Sequence, residues 1–168
     1  ASYSGKKDDC ELPVSQQLLA KESPELSNRV VTADALHIKK NGAIILGRGG
    51  DYLIGLKRNQ KTLHQDARRS LGVQKLRKQP PEWSGEVECE HGRIEQRHLR
   101  RIDVEQDISN FPQARQLISL TRTWECRKTG ALKAESRIFI TSLESEEKSA
   151  AQLAAIIRGH WAVENKNH

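Results

Sequence analysis

Residues 29–57 read RVVTADALHIKKNGAIILGRGGDYLIGLK, and this stretch determines the fold that we expect. Its β-branched opening, residues 29–34, predicts a short buried strand that ends on Asp34. Residues 36–48 carry apolar side chains at 38, 45 and 46 with Lys39 and Lys40 between them, and the two glycines that follow predict the end of a helix. Residues 51–57 are a second apolar run of strand length.

A second helix is predicted directly after this stretch. Asn59 can cap a helix over residues 60–77, in which Leu63, Leu71 and Leu76 point inward. The resulting order of strand, helix, strand and helix favours an α/β core with parallel strand pairing.

The pattern changes after residue 81, where strand-like segments replace helical ones. Four segments alternate or run in β-branched residues: 86–90, 93–104, 116–127 and 132–143. Thr129 and Gly130 predict a hairpin turn between the last two segments. A final helix is predicted from about residue 148, with Ser145 as its N-cap and acidic residues in its first turn.

Length and composition limit the classes of protein that are possible. The chain has 168 residues and a net charge of +6, which suits one domain. Uninterrupted apolar runs, such as residues 43–46, are far shorter than the roughly 18 residues of a membrane span. Three cysteines without a CxxC spacing argue against a disulfide scaffold or a thiolate zinc site. We therefore expect a cytoplasmic protein.

The positive charge is concentrated in residues 57–101. This window has twelve basic and six acidic residues, so its excess of six equals the net charge of the whole chain. Such clustering is typical of a surface that follows phosphates, although a solvated surface explains most charge runs equally well. The basic residues are Lys57, Arg58, Lys61, Arg68, Arg69, Lys75, Arg77, Lys78, Arg93, Arg97, Arg100 and Arg101.

Two carboxylates stand out by their positions. Asp34 leaves the C-terminal end of a predicted strand, where open α/β sheets gather their ligand-binding groups. Glu164 lies eleven residues after Leu153 and seven after Ile157, and both spacings are within about 20° of whole helical turns. Glu164 therefore shares the apolar stripe of the last helix, where an acid is costly unless it is paired or binds a metal.

Together these carboxylates suit a hard divalent cation such as Mg²⁺, which prefers oxygen ligands. Each also has a simpler interpretation. Asp34 can cap the helix that follows it, and Glu164 can pair with His160 or Arg158. Zinc ligation by the histidines is weaker, since no known ligand spacing is present.

Four ordered sequence blocks extend over most of the chain and resemble one family. They read VVTADALH at residues 30–37, GDYLIGLKRNQ at 50–60 with LHQD at 63–66, HGRIE at 91–95, and RGHWAVEN at 158–165. The chain resembles the DDE transposases of bacterial insertion sequences, in the subgroup that includes the H-repeat-associated proteins of Rhs elements.

The resemblance implies an RNase H-like α/β core, incomplete at its N-terminus and interrupted by a β-rich insertion before the last helix. Residues 1–80 would form the RNase H-like part, 81–143 the insertion, and 144–168 the helix with the last acidic residue. The family's first catalytic aspartate lies in a D-G-K block, which this sequence lacks. With an initial alanine and no methionine, the sequence is expected to be a piece of a longer protein, inactive alone.

The resemblance also implies the site and its chemistry. Asp34 and Glu164 match the second and third members of the family's acidic triad, which binds Mg²⁺, with Mn²⁺ as a substitute. Metal-activated water and then a DNA 3′-hydroxyl would attack a phosphodiester. His160 resembles a basic position that contacts the DNA backbone.

The expected partner is double-stranded DNA at transposon ends, with a possible homodimer in a synaptic complex and no membrane. The expected DNA-binding residues are Lys57, Arg58, Lys61, Arg93, Arg97 and His160. Two other functions stay open: a non-catalytic DNA-binding remnant, and an RNase H-like nuclease whose site is completed by another acid.

Overall fold

The computed structural model describes residues 25–56, 61–72, 79–90, 92–104, 111 and 113–166, together with 16, 17 and 19. Of residues 34–40, 90 and 161–166 it describes the backbone alone. Within these residues there are three long helices and seven strands. The helices are α1 (Ala35–Gly47), α2 (Lys61–Gly72) and α3 (Ala150–Lys166). The strands are β1 (Val30–Asp34), β2 (Asp51–Gly55), β3 (Trp83–Ser84), β4 (Glu88–Glu90), β5 (Arg93–Asp103), β6 (Gln116–Cys126) and β7 (Leu132–Thr141).

All seven strands belong to one mixed sheet. Its order is β1-β2-β7-β6-β5-β3, and β4 also pairs with β5. β1 and β2 are parallel, and the later strands pair antiparallel. The predicted α/β class and the parallel pair are confirmed. The β-rich segments extend the same sheet, because β7 pairs with β2.

The turn after α1 shows why two glycines end that helix. Gly49 adopts a φ of +74°, a left-handed conformation that glycine takes without a steric penalty. The Gly49 amide donates to the Leu46 carbonyl, and the Gly50 amide donates to the Ile45 carbonyl, each at 3.0 Å. These two bonds form a Schellman motif and turn the chain directly into β2.

β1 differs from the prediction in its burial. Residues 30–33 are half-buried rather than buried. The reason is its place at one edge of the sheet, where β2 is its partner among the described strands. Two apolar layers nevertheless form, one on each side of the sheet.

The first layer lies under α1 and α2. It joins Ile45, Leu63 and Ala67 of these helices to β-sheet residues. The sheet contributes Tyr52, Ile54, Leu117, Ile138 and Ile140. Leu63 is buried as predicted, and Leu71 packs at the edge of this layer. Leu76 lies outside the described residues.

The second layer lies under α3, on the opposite side of the sheet. Its helical members are Ala150, Leu153, Ala154 and Ile157. Its sheet members include Leu53, Leu99, Ile118, Leu120 and Phe139. Leu53 alternates with Tyr52 and Ile54, and Phe139 alternates with Ile138 and Ile140, so the two layers use alternate residues of the same strands.

The start of α3 corrects the predicted cap. Residues 145–147 form a turn, and the helix begins at Ala150. Ser149 caps it: the Ser149 hydroxyl accepts from the Gln152 amide at 3.3 Å, and the Gln152 side chain accepts from the Ser149 amide at 2.9 Å. This reciprocal pair is a capping box, and it makes the cap four residues later than Ser145.

The predicted hairpin between β6 and β7 is confirmed. Gly130 has a φ of +65°, and the carbonyl of Cys126 accepts from the amides of Thr129 and Gly130. No helix in the described part of the chain is both long enough and apolar enough to cross a membrane.

Candidate active site

Asp34 is the last residue of β1, and α1 begins at the next residue. Its backbone pairs with Gly55, the last residue of β2, so position 34 lies at the C-terminal edge of the parallel pair. Position 34 has the same strand parity as Val30, and Val30 packs against the layer under α3. The cap interpretation also persists, because position 34 directly precedes a helix.

The contacts of Arg101 locate the start of α3. This arginine, on β5, donates 2.9 Å hydrogen bonds to the carbonyls of Ser145 and Lys148, which lead into the helix. It also binds the carboxylate of Glu82 and the side-chain oxygen of Gln116. With 15% of its side chain exposed, Arg101 is a structural anchor within the predicted basic window.

The middle of α3 is fixed near the other end of β5. Arg158 forms a 2.8 Å ion pair with Glu88 of β4, and Glu88 lies beside Glu95 in the strand register. The helix therefore runs from the Arg101 end of β5 toward the Glu95 end, antiparallel to β5. β5 is parallel to β7, and β7 is antiparallel to β2, so α3 runs in the same direction as β1 and β2.

Glu164 lies in the last turns of this helix. Leu153 and Ile157 are almost fully buried, as the predicted stripe requires, and the helix continues to Lys166. The side chains of Trp161, Glu164 and Asp34 lie outside the description of the structure, so the approach of the two carboxylates stays a prediction.

A chain of alternating charges surrounds Arg97. Its guanidinium donates to Glu88 at 2.6 Å and to Glu95 at 2.5 Å, and Glu95 also lies 3.7 Å from Arg122. Hydrogen bonding from Arg97 lowers the pKa of Glu88, against an opposing contribution from burial, and the charge of Arg158 lowers it further. Arg97 is 14% exposed, so both of its carboxylate partners are held close to the sheet.

The other basic residues of the sequence window lie on both sides of the sheet. Lys61, Arg68 and Arg69 are exposed on α2, and Arg93 is exposed at the start of β5. His160 is half-buried on α3. Five members of the window lie outside the described residues: Lys57, Arg58, Lys75, Arg77 and Lys78. Counting charge along the sequence could not reveal this division, which depends on strand parity.

The metal ligands predicted from the sequence, Asp34 and Glu164, have side chains outside the description of the structure. Among the described side chains, no three histidines, cysteines, aspartates or glutamates are grouped closely enough to hold a metal ion. The donors proposed for Mg²⁺ are two carboxylates whose backbone positions alone are described, and oxygen donors of this type suit a hard cation.

Three comparisons place the chain among known proteins. A protein-family profile described as "Transposase DDE domain" matches residues 5–168. The chain is 34% identical over 125 residues to an "Uncharacterized protein in dhlA 3'region" of Xanthobacter autotrophicus. This alignment covers 70% of the chain. No solved structure matches the chain significantly.

Two relatives come from Escherichia coli (strain K12). YbfL is 27% identical over 157 residues, and the protein named "H repeat-associated putative transposase YhhI" is 26% identical over 157 residues; each alignment covers 86% of this chain. The chain spans about two fifths of the length of these three relatives. Since the family profile extends over almost all of its residues, the chain belongs to the transposase DDE domain family.

Proposed function

We propose that this chain carries part of the catalytic core of an insertion-sequence transposase, in which Asp34 and Glu164 act together on DNA phosphodiesters. One observation carries the proposal. α3 runs in the direction of β1 on the side of the sheet where Val30 packs, and position 34 shares the parity of Val30. This side and direction of α3 support the proposal that Glu164 approaches Asp34 beyond the C-terminal end of β1.

The proposed fold is RNase H-like. The observation that supports it is a parallel β1–β2 pair joined through α1, with an acid at the end of β1 and another on a helix that covers the sheet. In open α/β sheets, functional groups gather outside the carboxyl ends of parallel strands. Asp34 has such a position.

The proposed cofactor is Mg²⁺, held by the carboxylates of Asp34 and Glu164 with water as further ligands. When bound, such a metal lowers the pKa of a water or hydroxyl nucleophile and stabilises the developing charge on the phosphate. The contribution of the chain is positional: β1 fixes one carboxylate on a rigid strand, and α3, anchored by Arg101 and by Arg158, fixes the other.

The proposed substrate is double-stranded DNA, and the family relationship supports it. We propose that a third carboxylate completes the site in the whole protein. It would be the aspartate of the family's D-G-K block, which this sequence lacks. An additional strand carrying that acid can pair with β1, whose outer edge has no partner among the described strands. A synaptic homodimer is a further proposal, and so are DNA contacts by Arg93 and His160. Of the other predicted contacts, Arg97 is bound by two carboxylates, Lys61 lies on α2 on the opposite side of the sheet, and Lys57 and Arg58 lie outside the described residues.

Metal-dependent nicking of supercoiled plasmid by the whole protein tests this function. We expect nicking with Mg²⁺ or Mn²⁺ but not Ca²⁺, and a loss of at least about 100-fold in Asp34→Asn and in Glu164→Gln, since each removes a metal ligand. Glu144→Gln is the matched control, because it removes one exposed carboxylate, paired with Arg115, that lies outside the strands of the sheet. Nicking that survives both substitutions would contradict the proposal, and DNA binding without any nicking would favour a non-catalytic DNA-binding protein.

A further inference from the structure

The long strands β5, β6 and β7 carry an array of charged residues on the side of the sheet that α3 covers. Leu99, Leu120 and Phe139 pack under α3 and define this side of each strand. Residues at even spacing from them lie on the same side. We call the array the β5–β7 surface; it consists of Arg93, Glu95, Arg97, Arg122, Trp124, Lys133, Glu135 and Arg137.

The strand register brings these residues together as neighbours. Glu95, Trp124 and Lys133 lie in one row across the three strands, and the next row is Arg97, Arg122 and Glu135. Facing residues in an antiparallel pair are about 4.5–5.5 Å apart, and rows on one side repeat every two residues. Five cations and two acids of β5–β7 therefore share a compact surface, and Glu88 of β4, bound to Arg97 and Arg158, borders it.

These cations differ in how exposed they are and in whether carboxylates already bind them. Arg97 is bound by two carboxylates and is 14% exposed, so it contributes mainly to the cohesion of the surface. Arg93 and Lys133 are exposed. Arg137 is 53% exposed, and its ion pair with Glu135, at 3.2 Å, is between two side chains that are both about half exposed. Such exposed pairs contribute little and exchange readily with a phosphate.

Arg122 has a different arrangement. Its guanidinium lies 4.6 Å from the centroid of the Trp124 ring, in a cation–π contact. Its nearest carboxylate oxygen, on Glu95, is 3.7 Å away, which is beyond hydrogen-bond distance. Arg97 and Arg122 also face each other directly in the register, a like-charge pair that an added anion would stabilise.

We propose that the β5–β7 surface binds the phosphate backbone of duplex DNA, with Arg93, Arg122, Lys133 and Arg137 as its contacts. This inference rests on the proposed function and assigns DNA binding to one side of the sheet, the side of α3. Three of these contacts, Arg122, Lys133 and Arg137, lie outside the basic window found in the sequence.

Duplex DNA fits this surface better than a single strand. Single-strand binding needs aromatic rings with open faces for bases, and Arg122 covers one face of Trp124. A flat array of arginines and lysines suits repeated phosphate contacts instead. The α2 side offers Arg68 and Arg69, but α2 covers the opposite side of the sheet, so one straight duplex cannot contact both sets.

A pair of matched variants of the 168-residue chain separates these two sides. Lys133→Gln with Arg137→Gln removes two exposed cations from the β5–β7 surface, and Arg68→Gln with Arg69→Gln removes two exposed cations from α2. Both variants change the net charge equally. The probe is a fluorescent 20-base-pair duplex of arbitrary sequence, and anisotropy is measured between about 50 and 200 mM salt, where counterion release controls affinity.

We expect the Lys133/Arg137 variant to lose at least about 10-fold in affinity, and the slope of log affinity against log salt to fall by about 2. The Arg68/Arg69 variant should change affinity less than about 3-fold. The reverse result, equal losses in both variants, or tighter binding to a single strand of equal length would overturn the surface assignment. Those results leave the proposed function standing, whereas an unaltered chain that fails to bind duplex would overturn the assignment and also remove DNA binding from the function proposed for this chain.

Discussion

Arg158 of α3 and Glu88 of β4 are joined by a 2.8 Å ion pair. This pair ties the middle of the helix to an outer strand of the sheet, six residues before Glu164. Glu88 also binds Arg97, which binds Glu95, so the helix connects to two strands through one series of charges. The position of Glu164 therefore depends on ionised groups that are distant from it in sequence.

Loss of the Glu88 carboxylate should destabilise the chain in a pH-dependent way. The pKa of Glu88 is lower in the folded chain, mainly through its hydrogen bond with Arg97, so its contribution is complete above the ordinary glutamate pKa. That contribution disappears as pH falls through the lower, folded pKa. We expect Glu88→Gln to reduce the free energy of unfolding by about 1–2 kcal/mol at pH 7, and progressively less as pH falls through the folded pKa.

Urea unfolding across this pH range measures the effect. Glu135→Gln is the control, because the Glu135–Arg137 pair is about half exposed and should contribute less than about 0.5 kcal/mol. Equal losses in the two variants, or a Glu88→Gln effect that is independent of pH, would mean that the network does not stabilise the fold.

The cap of α3 gives a second prediction. Ser149→Ala should cost about 1 kcal/mol, since it removes the hydroxyl that accepts from the Gln152 amide at the helix start. Ser145→Ala should cost less than about 0.5 kcal/mol, because its hydroxyl bonds to Glu146 in an exposed turn. Thermal unfolding of both variants checks this, and a larger loss from Ser145→Ala would show that the helix begins earlier.

Removal of the Arg101 guanidinium should loosen the entry to α3. Arg101→Met leaves the carbonyls of Ser145 and Lys148 without their donor, and we expect a loss of about 2–3 kcal/mol. Hydrogen exchange should increase most in the first turns of α3. Arg100→Met, which removes one exposed bond to the Gln79 carbonyl, is the control on the other side of β5. Unchanged exchange in α3 would contradict the anchor role.

The elements that could be predicted from sequence are those with a local cause. The glycines after α1 require a left-handed turn, and Thr129 and Gly130 form a tight hairpin; both are encoded within a few residues. The capping box at Ser149 was also visible as a serine followed by glutamine at the third position. Ser145 is also a plausible N-cap because it precedes two acids. Local charge alone does not decide whether Ser145 or Ser149 caps the helix.

The roles of the arginines could not be predicted in the same way. Arg97 and Arg101 belong to one basic run in the sequence, but their partners Glu88 and Glu82 are brought to them by strand pairing. Whether an arginine binds a carboxylate or faces solvent depends on register, and register is not contained in a charge count. The candidate site likewise depends on the fold, since Asp34 and Glu164 are 130 residues apart in the sequence.

Iron-directed cleavage of the whole protein tests most directly whether Asp34 and Glu164 hold the same metal ion. Fe²⁺ replaces Mg²⁺ at oxygen-ligand sites, and with ascorbate and peroxide it generates radicals that cut the backbone next to the metal. Mass spectrometry of the products should show two cuts, near residues 34 and 164, both suppressed by excess Mg²⁺. Either Asp34→Asn or Glu164→Gln should remove both cuts, and Glu135→Gln should leave both. A cut near one residue alone, or cuts that persist in both variants, would show that the two carboxylates do not share a metal.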